Sequence, residues 1–150
     1  MHPMNLPVRV VTDSASDLPA SLAADHDVRI VPLTVRFGSN EYVDGEELTS
    51  DRFWELLETT SHLPETAPPP PYRFEREIKE ARNDGAPGVL IVTMSSAISA
   101  TFQAAALAAE RLGSTIPVKV IDSRTLSMAQ GFAAVAAAQT AADGGSLDDV

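Results

Sequence analysis

Short apolar runs alternate with helix-forming stretches along the chain. Four of these runs predict strands, at residues 8–12, 28–37, 89–93 and 118–121. The run at 89–93, VLIVT, is apolar on both faces, which is typical of a central strand in a parallel sheet. Pro32 interrupts the run at 28–37, so part of that strand is predicted to lie at an edge or in a bend.

Helices are predicted between these runs, several of them rich in alanine. They are expected at about 19–26, after the capping residue Thr49, at 72–84, between Ser99 and Leu112, between Thr125 and Ala142, and again from Ser146. A short strand is predicted at 41–43 and a proline-dominated loop at 61–71. The alternation predicts an α/β fold with a doubly wound, mostly parallel sheet flanked by helices.

The domain organisation is predicted to be simple. Residues 1–7 are expected to form a disordered tail, and residues 8–150 one α/β domain, because 150 residues is a single-domain length. Gly144 and Gly145 break the last long helix, and Ser146 supplies a fresh N-cap. This pattern leads us to expect that the natural protein continues.

Composition narrows the classes of partner. The net charge is −10 and the pI is about 4.6, so the surface repels nucleic acid and anionic membranes. The absence of cysteine excludes disulfides, thiolate catalysis and cysteine-ligated metals. No apolar run approaches the length of a membrane span and no basic, apolar leader begins the chain. We therefore expect a cytoplasmic protein without membrane insertion.

Polar residues follow three of the predicted strands, at the edge where open α/β sheets bind ligands. They are Thr12, Asp13 and Ser14, then Ser95 and Ser96, then Asp122 and Ser123. The loop before the helix predicted between Ser99 and Leu112 lacks the glycine patterns of dinucleotide and P-loop sites, which excludes both kinds of nucleotide site there. What remains is a hydroxyl-rich opening at the ends of the strands, called the mouth below, with helix N-termini directed into it.

Ser95 and Ser96 are the most informative of these residues. They separate an apolar strand from a helix, where unpaired backbone N–H groups and the helix dipole favour an anion. Their hydroxyls are suited to donate to a carboxylate or phosphate. The alternative is that Ser96 or Ser99 merely caps the helix. Both roles are compatible in neighbouring serines.

Thr66 lies in the proline-rich loop and has two interpretations. Four consecutive prolines, 68–71, favour extended polyproline II backbone that cannot join the centre of a sheet. The segment is then either a stiff surface connector or a support that delivers Thr66 over the strand ends.

Candidates for catalysis are few. Asp13 and Asp122 end two strands, but each precedes a serine, which favours an Asx turn or a helix cap over an acid–base pair. No G-x-S-x-G elbow is present, and His62 is the only plausible base, because His2 lies in the tail and His26 ends a helix away from the mouth. Three scattered histidines also argue against a metal site.

Several motifs resemble the DegV family of bacterial proteins. TDSASDLP at 12–19 is similar to the family's TDS-x-x-DLP signature, and VPL at 31–33 with YVDG at 42–45 resembles its VPL and Y-x-DG segment. SSAISATFQA at 95–104 is similar to its SS-x-L-SGTYQ motif, and VIDS at 120–123 to its V-x-DS element. These motifs stand in the family's order.

The resemblance implies the N-terminal α/β domain of a fatty-acid-binding protein that has no catalysis or cofactor of its own. It implies that a long-chain fatty acid is held by its carboxylate, and that the carrier presents it to a separate fatty-acid kinase. By motif, the carboxylate contacts map to Thr66 and to Ser95 or Ser96. Further residues expected to line the site are Asp13, Ser14, Ser99, Asp122 and Ser123.

Three departures from the family pattern affect this site. The family serine after the loop threonine is Ala67, the glycine after the capping serine is Ala100, and the tyrosine is Phe102. Ala67 removes one donor, and Ala100 adds a methyl group where the backbone can approach the ligand. Family members are also nearly twice as long, so the C-terminal domain that supplies much of the acyl tunnel is expected to be absent.

Two other classes of function stay open. One is an enzyme, either a hydrolase with a strand-end serine or a phosphotransferase of the dihydroxyacetone-kinase type. The phosphotransferase needs a histidine close to the sheet mouth, and the sequence offers only His62. The other is a partner-docking domain without a ligand.

Overall fold

The computed structural model describes residues 6–150 and contains two sheets. The strands are β1 (Arg9–Asp13), β2 (Val28–Val31), β3 (Thr34–Phe37), β4 (Asn40–Val43), β5 (Pro64–Ala67), β6 (Val89–Thr93) and β7 (Val118–Asp122). The helices are α1 (Ala20–Asp25), α2 (Ser50–Thr59), α3 (Pro71–Asp84), α4 (Thr101–Leu112) and α5 (Met128–Ala142). The predicted tail at 1–7 lies mostly outside the described residues, and Leu6 and Pro7 are exposed.

The main sheet has four parallel strands in the order β2-β1-β6-β7, which confirms the predicted fold class. Alternate residues of each central strand supply two separate cores. Val10 packs with α1 and α5 on one face, and its neighbour Val11 packs with α3 and α4 on the other. All five residues of β6 are buried, as the sequence predicts for a central strand.

A second sheet of three antiparallel strands, ordered β4-β3-β5, was not predicted. The predicted single strand at 28–37 is wrong, because Pro32 and Leu33 break it and its halves join different sheets. The loop predicted at 61–71 is also partly wrong, since β5 pairs with β3. Helix α2 covers this sheet through a small core that includes Val35 and Phe37.

Some helix ends follow local rules and others do not. The Thr49 side chain caps α2 as predicted, accepting the Arg52 N–H. Gly85 ends α3 with a φ of 87°, a conformation that favours glycine. Helix α4 has Ala100 at its N-cap, so neither Ser96 nor Ser99 takes that position. Within residues 6–150 no helix is both apolar and long enough to cross a membrane.

Residues 146–150 form a turn instead of the predicted helix. The Ser146 N–H and hydroxyl both donate to Asp149 Oδ2, at 2.9 and 2.5 Å. Nearby, the Leu147 side chain packs against Gly88, where an added Cβ would lie 3.1 Å from Leu147 Cδ2. The turn therefore closes over the start of β6.

The small side chains of α5 set its distance from the sheet. Ala134 is fully buried in the core shared with β1 and β6, whereas its neighbour Ala133 is exposed. We expect Ala134→Leu to lower the free energy of unfolding by about 1–3 kcal/mol, because an inserted side chain overpacks the interface. Ala133→Leu is the matched control and should change it by less than about 0.5 kcal/mol. Urea denaturation measures both, and equal effects would contradict the packing described here.

Candidate functional site

A buried aspartate joins the carboxyl ends of the two central strands. Asp13 is fully buried at the end of β1. Its Oδ2 accepts the Met94 N–H at 2.8 Å, beyond the end of β6, and its Oδ1 accepts the Ala15 N–H at 3.0 Å. Burial raises the pKa of the Asp13 carboxyl above 3.8, although these N–H donors act to lower it. The chain order reverses between β1 and β6, so Asp13 fills the crevice where such sheets commonly bind ligands.

A buried glutamine extends this polar cluster and was missed from the sequence. Gln130 Nε2 donates to Thr12 Oγ1 at 2.9 Å, and the Thr12 hydroxyl donates to the Val92 carbonyl at 2.9 Å. Gln130 Oε1 is buried without a hydrogen-bond partner among the described residues. No sequence signal separates Gln130 from Gln139 in the same helix, which is exposed. The cluster holds α5 against β1 and β6.

The strand ends stay accessible on two sides, beside β7 and beside β1 and β2, where Ser14 and Pro32 line a cavity of about 750 Å³. The mouth is the part beside β7. Ser96 is fixed there by Asp122, whose Oδ2 accepts the Ser96 hydroxyl at 2.5 Å and whose Oδ1 accepts the Ser96 N–H at 3.1 Å. The Arg124 N–H also donates to Asp122 Oδ1, at 2.9 Å. The Ser96 hydroxyl is the main cause that lowers the pKa of Asp122 below 3.8. Asp122 is therefore a carboxylate at neutral pH.

Ser95 has a different set of contacts. Its N–H donates to the Thr125 carbonyl at 2.8 Å, and its Oγ accepts the Ala97 N–H at 3.3 Å. Among the described residues nothing accepts the proton of the Ser95 hydroxyl, and the side chain is half-buried at the mouth. Ser95 is thus able to donate to a ligand, whereas the Ser96 proton is already held by Asp122.

The expectation of unpaired backbone N–H groups at this junction is wrong for residues 94–98. Met94 donates to Asp13, Ser95 to the Thr125 carbonyl and Ser96 to Asp122. The Ala97 and Ile98 N–H groups donate to the hydroxyl and the carbonyl of Ser95. An anion at this turn would therefore be held by hydroxyls and not by an amide cradle.

The other predicted lining residues make local contacts around the mouth. Ser99 Oγ accepts the Thr101 N–H at 3.2 Å, and Ser123 Oγ accepts the Thr125 N–H at 3.2 Å. Ser14 Oγ accepts the Leu33 N–H at 3.0 Å, which ties the end of β1 to the bend before β3. These hydroxyls shape the turns at the strand ends.

Thr66 is exposed on β5, at one edge of the second sheet. It pairs with Val35, and directly opposed residues point to the same face of a sheet. In the described part of the chain no hydrogen bond joins Thr66 to Ser95 or Ser96. The structure therefore holds Thr66 on a strand rather than on a connector, without bringing it into contact with these serines.

The residues considered for catalysis are not assembled. Asp13 and Asp122 bind different groups, and no hydrogen bond joins them. His62 is exposed, and its ring lies against Gly38 at the tip of the β3–β4 hairpin. His26 lines a small cavity with Val8 and Val10. His2 lies outside the described residues, within which no cluster of potential metal ligands occurs.

An open groove runs from the mouth along α5. Its volume is about 500 Å³. Its polar end is formed by Asp122, Ser123 and Thr125, and its side is formed by small residues of α5 that include Ala129 and Ala133. Ile121 of β7 borders it with 43% of its surface exposed. The groove places apolar surface directly beside the hydroxyls of Ser123 and Thr125.

Comparison with known proteins identifies the family. The model of the DegV family, described as an uncharacterised protein family, matches residues 7–150. The chain belongs to the DegV family. A DegV domain-containing protein of Streptomyces coelicolor is 34% identical over 146 residues, which are 97% of this chain and 51% of that protein. The chain thus spans about half the length of the curated relatives it matches.

Two solved structures of DegV-family proteins share the fold. One is a Thermus thermophilus protein described by its fatty acid binding, with 34% identity and a TM-score of 0.85 over 95% of this chain and 50% of that one. The other is DegV of Bacillus subtilis, described as a fatty acid binding protein, with 31% identity and a TM-score of 0.85 over 96% and 51%.

The Ser96–Asp122 pair of this DegV-family chain yields a prediction about pH. In the native protein Asp122 should titrate below 3.8, and Ser96→Ala should raise its pKa because the carboxylate loses its hydroxyl donor. The stability contributed by this hydrogen bond is present above pH 3.8 and is lost as the pH falls through the lowered pKa. Carbon-13 NMR of the Asp122 carboxyl measures the titration. Ser95→Ala is the control, and an equal shift in that variant would refute the assignment.

Proposed function

We propose that this chain binds a long-chain fatty acid through its carboxylate, as the headgroup-binding part of a carrier that performs no catalysis. The observation that carries the proposal is the match, over 95% of the chain, to a protein of the same fold described by its fatty acid binding. The hydroxyl-lined mouth beside an apolar groove supports it, because a fatty acid has one polar end and one apolar tail.

Within the mouth, Ser95 is the favoured carboxylate contact. Its hydroxyl proton has no acceptor among the described residues, while the Ser96 hydroxyl is held by Asp122. We assign Ser96 to positioning the turn and Ser95 to donating to the ligand. Thr66 is proposed as a second contact to the same carboxylate, which requires the exposed edge of β5 and Ser95 to face one bound headgroup.

The relative sizes of the contributions explain why this chain should bind weakly alone. Hydrogen bonds to a charged carboxylate contribute about 1.5–3 kcal/mol each. Burying roughly 14 methylene groups contributes about 11 kcal/mol before the cost of association. The groove along α5 is open and its border residue Ile121 is 43% exposed, so it leaves much of a tail in water. The carboxylate alone cannot compensate for that loss.

The carrier role is proposed to include presentation of the carboxylate to a separate fatty-acid kinase in the cytoplasm. Ser95 and Ser96 are half-buried and not enclosed, which leaves a bound headgroup within reach of a partner. The position of His62 at the hairpin tip disfavours the phosphotransferase alternative, because that chemistry needs a histidine at the mouth.

We expect the 150-residue chain to bind palmitate saturably, with one site and a Kd weaker than micromolar. Isothermal titration calorimetry measures the affinity, and parallel assays test turnover of acyl and phosphate esters. Micromolar or tighter binding would contradict the argument that the tail lacks a closed cavity. Absence of binding together with ester turnover would replace the carrier by an enzyme.

The assignment of Ser95 has its own test. Ser95→Ala should weaken binding of octanoate about tenfold, because one hydrogen bond to a charged group is lost. Ser114→Ala is the matched control, since Ser114 is exposed just beyond the opposite end of α4. Nitrogen-15 NMR titrations give both affinities. Unchanged affinity in Ser95→Ala would assign the carboxylate to other donors.

A further inference from the structure

The mouth carries a negative charge of its own. Asp122 is a carboxylate at neutral pH and accepts hydrogen bonds from both the N–H and the hydroxyl of Ser96. A ligand carboxylate beside Ser95 would be repelled by it, because like charges at close range disfavour each other. The backbone N–H groups of residues 94–98 cannot offset the repulsion, since each already donates to an acceptor of the chain. A cation at the mouth would offset this repulsion.

Only one arginine or lysine is a candidate for this positive charge. Every lysine and arginine of the chain lies within residues 6–150, and all except Arg82 and Arg124 form ion pairs with acidic side chains. Arg82 lies near the end of α3, next to Gly85, away from the mouth. Arg124 is exposed and stands between Ser123 and Thr125, two residues that line the groove.

The backbone fixes Arg124 at this place. Its φ is 54°, in the left-handed region that non-glycine residues rarely adopt. The Arg124 N–H donates to Asp122 Oδ1 at 2.9 Å, and the Ser95 N–H donates to the carbonyl of the next residue, Thr125. The Arg124 charge also contributes to lowering the pKa of Asp122. The backbone of this turn is thus tied both to Asp122 and, through the next residue, to Ser95.

We propose that Arg124 supplies the positive charge that pairs with the carboxylate of the ligand, with Ser95 donating beside it. This inference rests on the proposed fatty-acid binding and adds a residue that its motifs do not include. A planar guanidinium can donate two parallel hydrogen bonds to a carboxylate, which fits an acid better than a neutral headgroup. Arg124 then also selects for the ionised form of the acid.

The test compares an acid with a neutral ligand of the same tail length. The nitrogen-15-labelled chain is titrated at pH 7 and low salt with sodium octanoate and, separately, with 1-octanol, and the amide signals of Ser95 and Ser96 are followed. Arg124→Gln should weaken octanoate binding about tenfold, the loss expected for one charge-assisted contact, and leave octanol unchanged. Arg124→Lys should lose less affinity for octanoate, because lysine keeps the positive charge but cannot donate two parallel hydrogen bonds. Arg82→Gln is the matched control and should change neither affinity.

The outcomes separate this inference from the proposed function. Octanoate binding that is equal in Arg124→Gln and the unmodified chain would overturn the role of Arg124 and leave the carrier proposal intact. An equal loss for octanoate and octanol would also overturn it, because the effect would then not depend on the ligand's charge. If the unmodified chain binds neither ligand, the proposed function fails and this inference fails with it.

Discussion

The arrangement of the whole strand-end region depends on one buried carboxyl group. Asp13 accepts an N–H from Ala15 on its own side of the sheet and an N–H from Met94 on the other. It thereby holds together the two turns that leave the central strands, and Gln130 packs against the same strand ends through Thr12. Because these side chains fill the crevice between β1 and β6, the space open to a ligand lies to either side of it, beside β7 or beside β1 and β2. The mouth thus lies beside the central crevice and not in it, because hydrogen-bonded side chains of the protein itself occupy the crevice.

These internal hydrogen bonds also decide what kind of headgroup the mouth can bind. A turn with unpaired amides binds phosphate well, because several fixed donors surround the anion. Here Asp13, Asp122 and the Thr125 carbonyl already accept the amides of residues 94–96. Within residues 94–96, what remains for a ligand is the hydroxyl of Ser95, whose proton can rotate. A small carboxylate with few contacts fits such a site better than a phosphate that needs many.

Sequence reasoning recovers the main sheet but not the second one. An apolar run predicts the strand at 89–93, and it also predicts that both faces of this strand are buried. Strand β5 has the sequence PETA, which has little intrinsic preference for a strand, and it forms only because the edge of β3 accepts it. Pro32 is visible in the sequence, yet its effect of sending β3 into another sheet depends on tertiary pairing. Local preference does not encode such choices.

The site shows the same limit at the level of single side chains. In the sequence, Ser95 and Ser96 are equivalent hydroxyl residues. Only the structure shows that Asp122, at the end of the neighbouring strand β7, accepts the hydroxyl proton of Ser96. Arg124 directly follows Asp122 and Ser123, but the sequence alone does not relate it to Ser95, whose N–H donates to the carbonyl of the next residue, Thr125.

A net charge of −10 opposes the approach of a fatty-acid anion to this protein at long range. At physiological ionic strength, however, charges separated by more than about 8 Å are largely screened in water. The balance at the mouth is therefore set by its nearest charged groups, Asp122 and Arg124, and by the hydroxyl of Ser95. Distant acidic residues affect mainly the rate of encounter, which salt should increase, whereas the local pair controls the affinity.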